Sequence, residues 1–286
     1  INNGYIGFHR LAINGLNENA HQPFNIDGCT LLCNGEIYNY HALYDILFPL
    51  VPTTESDCEV IIHLYRKFGI EYTLHLLDGV FSFVLIDNRE GKMFVARDPY
   101  GVRPLFYLKS LHDFGFASEL KQLSYIYSHI KLHYDICSLE TFQPGTLLTF
   151  TGGGGGEWNH CREIQYSTTG FLSLYPNISQ YEMILSLVKT KFMESVAKRI
   201  VGTTDRPIAC LLSGGLDSSL VASIVKRHVP DLETFSIGLK GSEDLKYAQK
   251  VADYLGTKHT SIVVSEEDFF DAIPRVIKAI ESYDTT

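Results

Sequence analysis

The hydrophobic pattern of the chain changes period near its middle. In the first half the apolar positions alternate with polar ones in short runs. Residues 5–14, 29–33, 80–87, 92–97, 105–108, 114–117 and 147–150 read as strands. Asn88-Arg89-Glu90-Gly91 makes a turn between two of them, and Pro144-Gly145 precedes the last. Asn34-Gly35 follows the run 29–33 and reads as a hairpin turn. Ser56 and Glu59 have the spacing of a capping box, which predicts a helix that runs to Phe68 and stops at Gly69. The first half is therefore expected to be an antiparallel β-sandwich flanked by helices, a domain over residues 1–150.

The second half reads differently. Tyr181 to Ile200 carries apolar residues at 184, 185, 188, 192, 196 and 200, one helical stripe expected to pack on a sheet. Strand 208–212, helix 216–228, strand 233–238, helix 244–255, strand 259–264 and helix 266–283 then alternate. That order predicts an α/β domain over 181–286 built on a parallel, doubly wound sheet. The pattern stops early, so the sheet is expected to be truncated and the sequence to be part of a longer protein. Residues 151–180, with five glycines at 152–156, read as a linker between the two domains.

Composition narrows the function. The 286 residues carry a net charge of −9, with 45% hydrophobic and 20% charged residues, as in a soluble globular protein. An acidic balance argues against nucleic-acid and membrane-surface partners. No apolar run approaches the ~20 residues of a membrane span, and the start shows no signal peptide. Six cysteines, at 29, 33, 58, 137, 161 and 210, lack paired spacing and read as buried thiols of a reducing, cytoplasmic compartment. Oligomeric state stays open, a homodimer included.

One stretch carries strong chemistry. In Ile208-Ala209-Cys210-Leu211-Leu212-Ser213-Gly214-Gly215-Leu216-Asp217-Ser218-Ser219 an apolar strand meets two glycines and a helix start. Glycines let the backbone approach a ligand, and the helix adds open N–H groups and a positive dipole end. Together these form a phosphate cradle, with Ser213, Ser218 and Ser219 as hydroxyl donors. Asp217 repels a phosphate unless it holds a magnesium ion that the phosphates share. Neither Gly-Lys-Ser/Thr nor Gly-x-Gly-x-x-Gly occurs here. The loop resembles the pyrophosphate loop of the N-type ATP pyrophosphatases.

The first half offers three weaker signals. Arg10 could clamp a carboxylate, Asn34-Gly35 could donate to an oxyanion, and Asp57 could take an ammonium group. Each has a plain structural reading: a surface strand-end arginine, a turn, and a first-turn acid. Together they would suit an α-amino acid whose side-chain amide is attacked.

His9-Arg10-Leu11-Ala12-Ile13, Asn34-Gly35-Glu36-Ile37-Tyr38-Asn39, Ser56-Asp57-Cys58-Glu59, Asp78-Gly79-Val80-Phe81, Arg97-Asp98-Pro99-Tyr100-Gly101-Val102-Arg103-Pro104 and Ala117-Ser118-Glu119 resemble successive landmarks of class II glutamine amidotransferase domains. With the pyrophosphate loop, and Glu281 to Thr286 at the end, the chain is similar to the glutamine-hydrolysing asparagine synthetases. The resemblance implies an N-terminal-nucleophile hydrolase fold for the first half. It implies asparagine synthesis from aspartate, glutamine and ATP, through β-aspartyl-AMP and transferred ammonia, with Mg2+ as cofactor. It places Arg10, Leu11, Ala12, Ile13, Asn14, Asn34, Gly35, Glu36 and Asp57 in the glutamine pocket, with Asn34 and Gly35 as the catalytic oxyanion hole. Leu212, Ser213, Gly214, Gly215, Asp217, Ser218 and Ile237 would bind ATP, with Asp217 on the metal. The family's nucleophile is an N-terminal cysteine, whereas this sequence starts at Ile1, within the family pattern. Two other readings remain: a β-lactam synthetase-like adenylating ligase with a degenerate amidotransferase half, and a non-catalytic module that binds glutamine or ATP.

Overall fold

The computed structural model describes the chain apart from residues 1–3, 111–112, 132–136, 153–157, 169–180, 204 and 283–286. The chain divides into two compact units, Ile1–Leu172 and Ser173–Thr286.

The first unit is layered. Strands β1 (Phe24–Ile26), β2 (Cys29–Ile37), β3 (Gly79–Asp87), β4 (Lys92–Arg97), β8 (Thr146–Gly152) and β9 (Trp158–Gln165) form a six-stranded antiparallel sheet in that order. A second antiparallel sheet has the order β6 (Phe114–Ala117), β5 (Phe106–Ser110), β7 (Cys137–Thr141). Strand alternation sorts the side chains to two cores. Phe81, Phe83 and Leu85 of β3 and Phe94 of β4 face helices α1 (Tyr40–Leu47), α2 (Val60–Phe68) and α3 (Ile70–Leu76). Ile86, Met93, Val95, Leu148 and Phe150 face the second sheet, where Tyr107, Phe114 and Phe116 meet them. Helix α4 (Leu120–Lys131) covers the outer side, with Leu123 over Gly115. The order is helices, sheet, sheet, helix.

Three expectations for this unit change. Residues 5–14 form no strand. The Arg10 guanidinium donates to the carbonyls of Asn14, Gly15 and Asn17 instead, which turns the segment back on itself. Asn34-Gly35 is not a turn but lies inside β2, opposite Ser82 and Phe81. A Cβ at Gly35 would meet Phe81 Cα at 2.7 Å, so glycine is needed for the close approach of β3 rather than for a reversal. Within the expected linker, Trp158–Gln165 is a strand of the main sheet, since β8 needs an edge partner; the rest of that stretch, Gly153 to Gly156 included, lies largely outside the described residues.

The second unit is a parallel sheet of β10 (Ala209–Leu211), β11 (Glu233–Leu239) and β12 (Lys258–Val264), in sequence order. Helices α6 (Leu216–His228) and α7 (Glu243–Leu255) share one apolar cluster through Ala222, Ala248 and Ala252, beneath Leu212. Helix α5 (Tyr181–Val201) packs on α6 through Val196 and Met193. Its first turns do not pack: Ile184, Leu185 and Val188 of the expected stripe are exposed. Helix α8 (Glu266–Ile280) starts in a capping box of Ser265 and Asp268.

Phe150 is buried between the two sheets and stacks on Phe114 at 4.7 Å. Phe150→Ala is expected to cost about 3–5 kcal/mol, read as a lower urea midpoint. A loss below ~1 kcal/mol would show that the sheets do not pack through this ring.

Candidate functional site

The first unit holds a cavity of about 540 Å³ between the inner face of β2 and the end of β6. Its lining includes Arg10, Leu11, Ile13, Asn14, Asn34, Gly35, Glu36 and Asp57 of the expected glutamine site. Ala12 does not line it, and Leu11 is largely exposed.

Strand β2 sets the geometry. Residues 33, 35 and 37 present their N–H and C=O groups to one edge, because strand residues alternate. The Cys33 N–H donates to Gln22 Oε1 at 2.6 Å, and Gln22 Nε2 donates to the Cys33 carbonyl at 3.1 Å. The Ile37 N–H donates to Asp57 Oδ2 at 2.7 Å. Gly35 lies between them and presents its N–H to the same edge. Its carbonyl takes the Cys58 thiol at 3.7 Å. On the other strand face, Asn34 Nδ2 donates to Ser118 Oγ at 3.2 Å, and Glu36 pairs with Arg103 at 2.9 Å.

Asp57 is 4% exposed. Burial pushes its carboxyl up to about 6, with Glu36 adding repulsion; hydrogen bonds from the Ile37 N–H and the Asn14 side chain oppose the rise. Arg10 sits on the same cavity, its guanidinium held by the turn at 14–17. Gly15 allows that turn to touch the next segment: its φ is +64°, and a Cβ there would meet Ser56 N at 2.9 Å.

Glu59 does not close a capping box with Ser56, because its carboxylate is used elsewhere. Ser56 accepts from Cys58 N instead. Glu59 accepts from Thr53 N, Thr53 Oγ1, Thr54 N and His63 Nε2, at 2.6–3.1 Å. Burial raises its carboxyl, but the bonds from His63, Thr54 and Thr53 win and hold it at about 2. Asp98 does similar work in the turn before β5. Its buried carboxylate accepts from the N–H groups of Phe81, Tyr100, Val102 and Arg103, which aims Arg103 at Glu36.

In the second unit, the loop after β10 folds on its own hydroxyls. Ser213 Oγ and Ser218 Oγ are 3.0 Å apart, Ser213 N donates to Ser218 Oγ, and Ser219 Oγ donates to the Gly215 carbonyl at 2.6 Å. Gly214 has φ +81°, and a Cβ there would meet the α7 backbone at 2.5 Å. Gly215 caps α6 with no side-chain bond, so the first-turn N–H groups are open to an anion. Ser213 and Asp217 are exposed. The Leu212 side chain is buried and its N–H donates to the Phe235 carbonyl, while Ile237 is 66% exposed. Ile237 lies inside β11 rather than at its end. Among the described residues no three His, Cys, Asp or Glu side chains gather to hold a metal. One loop carboxylate fits a magnesium ion that keeps its waters and shares substrate phosphates, not a protein cage.

Sequence reasoning assigned no role to Ser118, Arg103 or Gln22, and gave Glu59 only that of a helix cap. Ser118 and Arg103 stand in the quoted landmarks, but their contacts span 84 and 67 positions. Of the six cysteines expected to be buried, Cys161 is exposed on edge strand β9.

The chain thus holds a layered unit with a polar cavity and an α/β unit with a glycine-serine loop. The glutamine amidotransferase domain family matches residues 2–144, and the chain belongs to that family. The asparagine synthase family matches residues 187–286. Similar proteins include asparagine synthetase [glutamine-hydrolyzing] 3 of Arabidopsis thaliana, 39% identical over 99% of this chain and 47% of that protein. The human asparagine synthetase [glutamine-hydrolyzing] is 36% identical over 99% of this chain and 54% of that protein. The chain thus spans about half the length of the curated relatives it matches. Among solved structures, a B. subtilis glutamine phosphoribosylpyrophosphate amidotransferase with ADP and GMP overlays 93% of this chain and 76% of that one, at 14% identity and a TM-score of 0.43.

Glu59 supplies a prediction. Its folded-state carboxyl lies below the ordinary 4.5, so its contribution is complete above pH 4.5 and is lost as pH falls toward 2. Glu59→Gln is expected to cost about 3 kcal/mol at pH 7. Denaturation at pH 7 and pH 3 checks this: the gap to wild type should narrow at pH 3, and a gap independent of pH would rule the carboxylate's role out.

Proposed function

We propose that the intact protein makes asparagine from aspartate, with glutamine as the nitrogen donor and ATP as the activator. The observation that carries this is the convergence of Arg10, Asn34, Gly35 and Asp57 on one cavity, in a chain whose second family match is to asparagine synthase. Residues 1–150 act on glutamine and 181–286 on aspartate and ATP. Arg10 takes the α-carboxylate and Asp57 the α-ammonium, with Leu11, Ala12, Ile13, Asn14 and Glu36 around them. The Gly35 N–H and the Asn34 amide donate to the oxyanion as the side-chain amide is attacked.

Ammonia then displaces AMP from β-aspartyl-AMP, formed with release of pyrophosphate. Ser213, Gly214, Gly215 and Ser218 hold the phosphates, while Leu212 offers backbone and Ile237 an apolar surface to the nucleoside. Mg2+ bound at Asp217 would neutralise phosphate charge and help pyrophosphate leave. The protein is cytoplasmic and takes small-molecule partners.

Aspartate-dependent pyrophosphate release by the full-length protein is the expected result, and its absence would end the proposal. Asp57 gives a sharper check. Its carboxyl lies at about 6 in the free protein, so glutaminase kcat/KM should fall as pH drops below 6. Asp57→Asn should raise the glutamine KM by about a hundredfold, the loss of a buried charge pair, and should remove that limb of the profile. An unchanged KM would remove Asp57 from the ammonium role.

A further inference from the structure

Asn34 is the one side chain proposed to donate to the oxyanion, and a lone amide on a strand can rotate. In this structure it is tied. Its Nδ2 donates to Ser118 Oγ at 3.2 Å, the single hydrogen bond of the Asn34 side chain among the described residues. Asn34 belongs to the main sheet, where it pairs with Ser82. Ser118 follows β6, in the other sheet. Both line the same cavity.

We infer that Ser118 is a positioning residue for glutamine hydrolysis: its hydroxyl accepts one N–H of the Asn34 amide and so turns the other toward the reacting carbonyl. The inference rests on the proposed role of Asn34. The chemistry is specific. An amide nitrogen carries two protons, so one can be spent on orientation while the other serves the oxyanion. A flipped amide would present its carbonyl to the developing negative charge and repel it. In the observed arrangement the Ser118 hydroxyl accepts from Nδ2 and holds the amide in that orientation, which leaves the second N–H of Nδ2 unspent. Ser118 itself touches no reacting atom. The remaining donor, the Gly35 N–H, is fixed by the strand and needs no such support.

The test uses the full-length protein and measures glutaminase kcat and glutamine KM, with ammonia-dependent asparagine synthesis as the control for folding. Ser118→Ala should lower kcat by ten- to a hundredfold, below or within the loss of an oxyanion-hole donor, with KM changed by less than about twofold. Ser118→Thr keeps the hydroxyl and should restore most of kcat; Ser118→Val, isosteric with the threonine variant, should not. In an Asn34→Ala background, Ser118→Ala should add no further loss, as expected when one residue acts through the other. A kcat near wild type in Ser118→Ala, equal kcat in Ser118→Thr and Ser118→Val, or an additive loss on Asn34→Ala overturns the inference. If Ser118→Ala also loses ammonia-dependent synthesis, the Thr and Val pair decides by the same criterion. Wild-type kcat in Asn34→Ala alone would instead overturn the role of Asn34, which separates the two failures.

Discussion

Asp57 is a carboxylate placed where a carboxylate is costly. It is nearly buried, and burial raises its carboxyl to about 6. The surrounding structure exists largely to hold it there. Ser56 caps the short turn that begins at Asp57. Glu59, fully ionised at neutral pH, gathers the backbone of Thr53 and Thr54 and so fixes the approach to that turn. The Ile37 N–H and the Asn14 side chain then reach it from two other segments. These donors offset part of the desolvation and leave a demand for positive charge. On the proposed reading the α-ammonium of glutamine meets that demand, so the substrate completes a site that is electrostatically unfinished without it.

The two buried acids of this turn separate because their partners differ. Glu59 has four donors, so ionisation is stabilised and its role is architectural. The donors to Asp57, among them the Ile37 N–H, the Asn14 side chain and the Cys58 thiol, do not outweigh its burial, so its charge is available for a ligand. Burial raises both carboxyls, and hydrogen bonding lowers both; the bonds outweigh burial at Glu59 and fall short of it at Asp57. The sequence motif around Ser56 shows both acids but not which is spent, because Thr53, Thr54 and His63 carry no mark of their use.

Legibility followed the same logic. Strands β3 and β4 were readable because both are short, β-rich apolar runs and a turn joins them. The α/β half was readable because each apolar run ends at a glycine or a cap. The path of β2 was not. Asn-Gly is a turn signal when φ must be positive, but Gly35 is demanded by the backbone of Phe81, a neighbour known only once β2 and β3 are paired. Residues 5–14 look like a strand and have no partner strand; Arg10 supplies the hydrogen bonds that a ladder would have supplied. Strand β9 was hidden because its edge position leaves it polar and exposed. The residues expected around glutamine converge, Ala12 excepted, yet the contacts that orient them, Ser118 to Asn34 and Arg103 to Glu36, join distant positions.

The loop after β10 solves a different electrostatic problem. Its ligand would be an anion, so buried side-chain charge is not the means. Gly214 lets the backbone fold against α7, where any Cβ would collide. Gly215 leaves the start of α6 without a side-chain cap, so its N–H groups remain for a ligand. Ser213, Ser218 and Ser219 bond within the loop and hold its shape before anything binds, which lowers the ordering cost of binding. Asp217 stands against this arrangement, since a carboxylate at a helix start competes with a phosphate for the same donors. Its presence is self-consistent if the phosphates arrive with a divalent cation. The carboxylate then adds to binding rather than opposing it, and the loop discriminates between a metal-bound nucleotide and a bare one. Asp217 is exposed, unlike the buried Asp57, and so is open to such a cation.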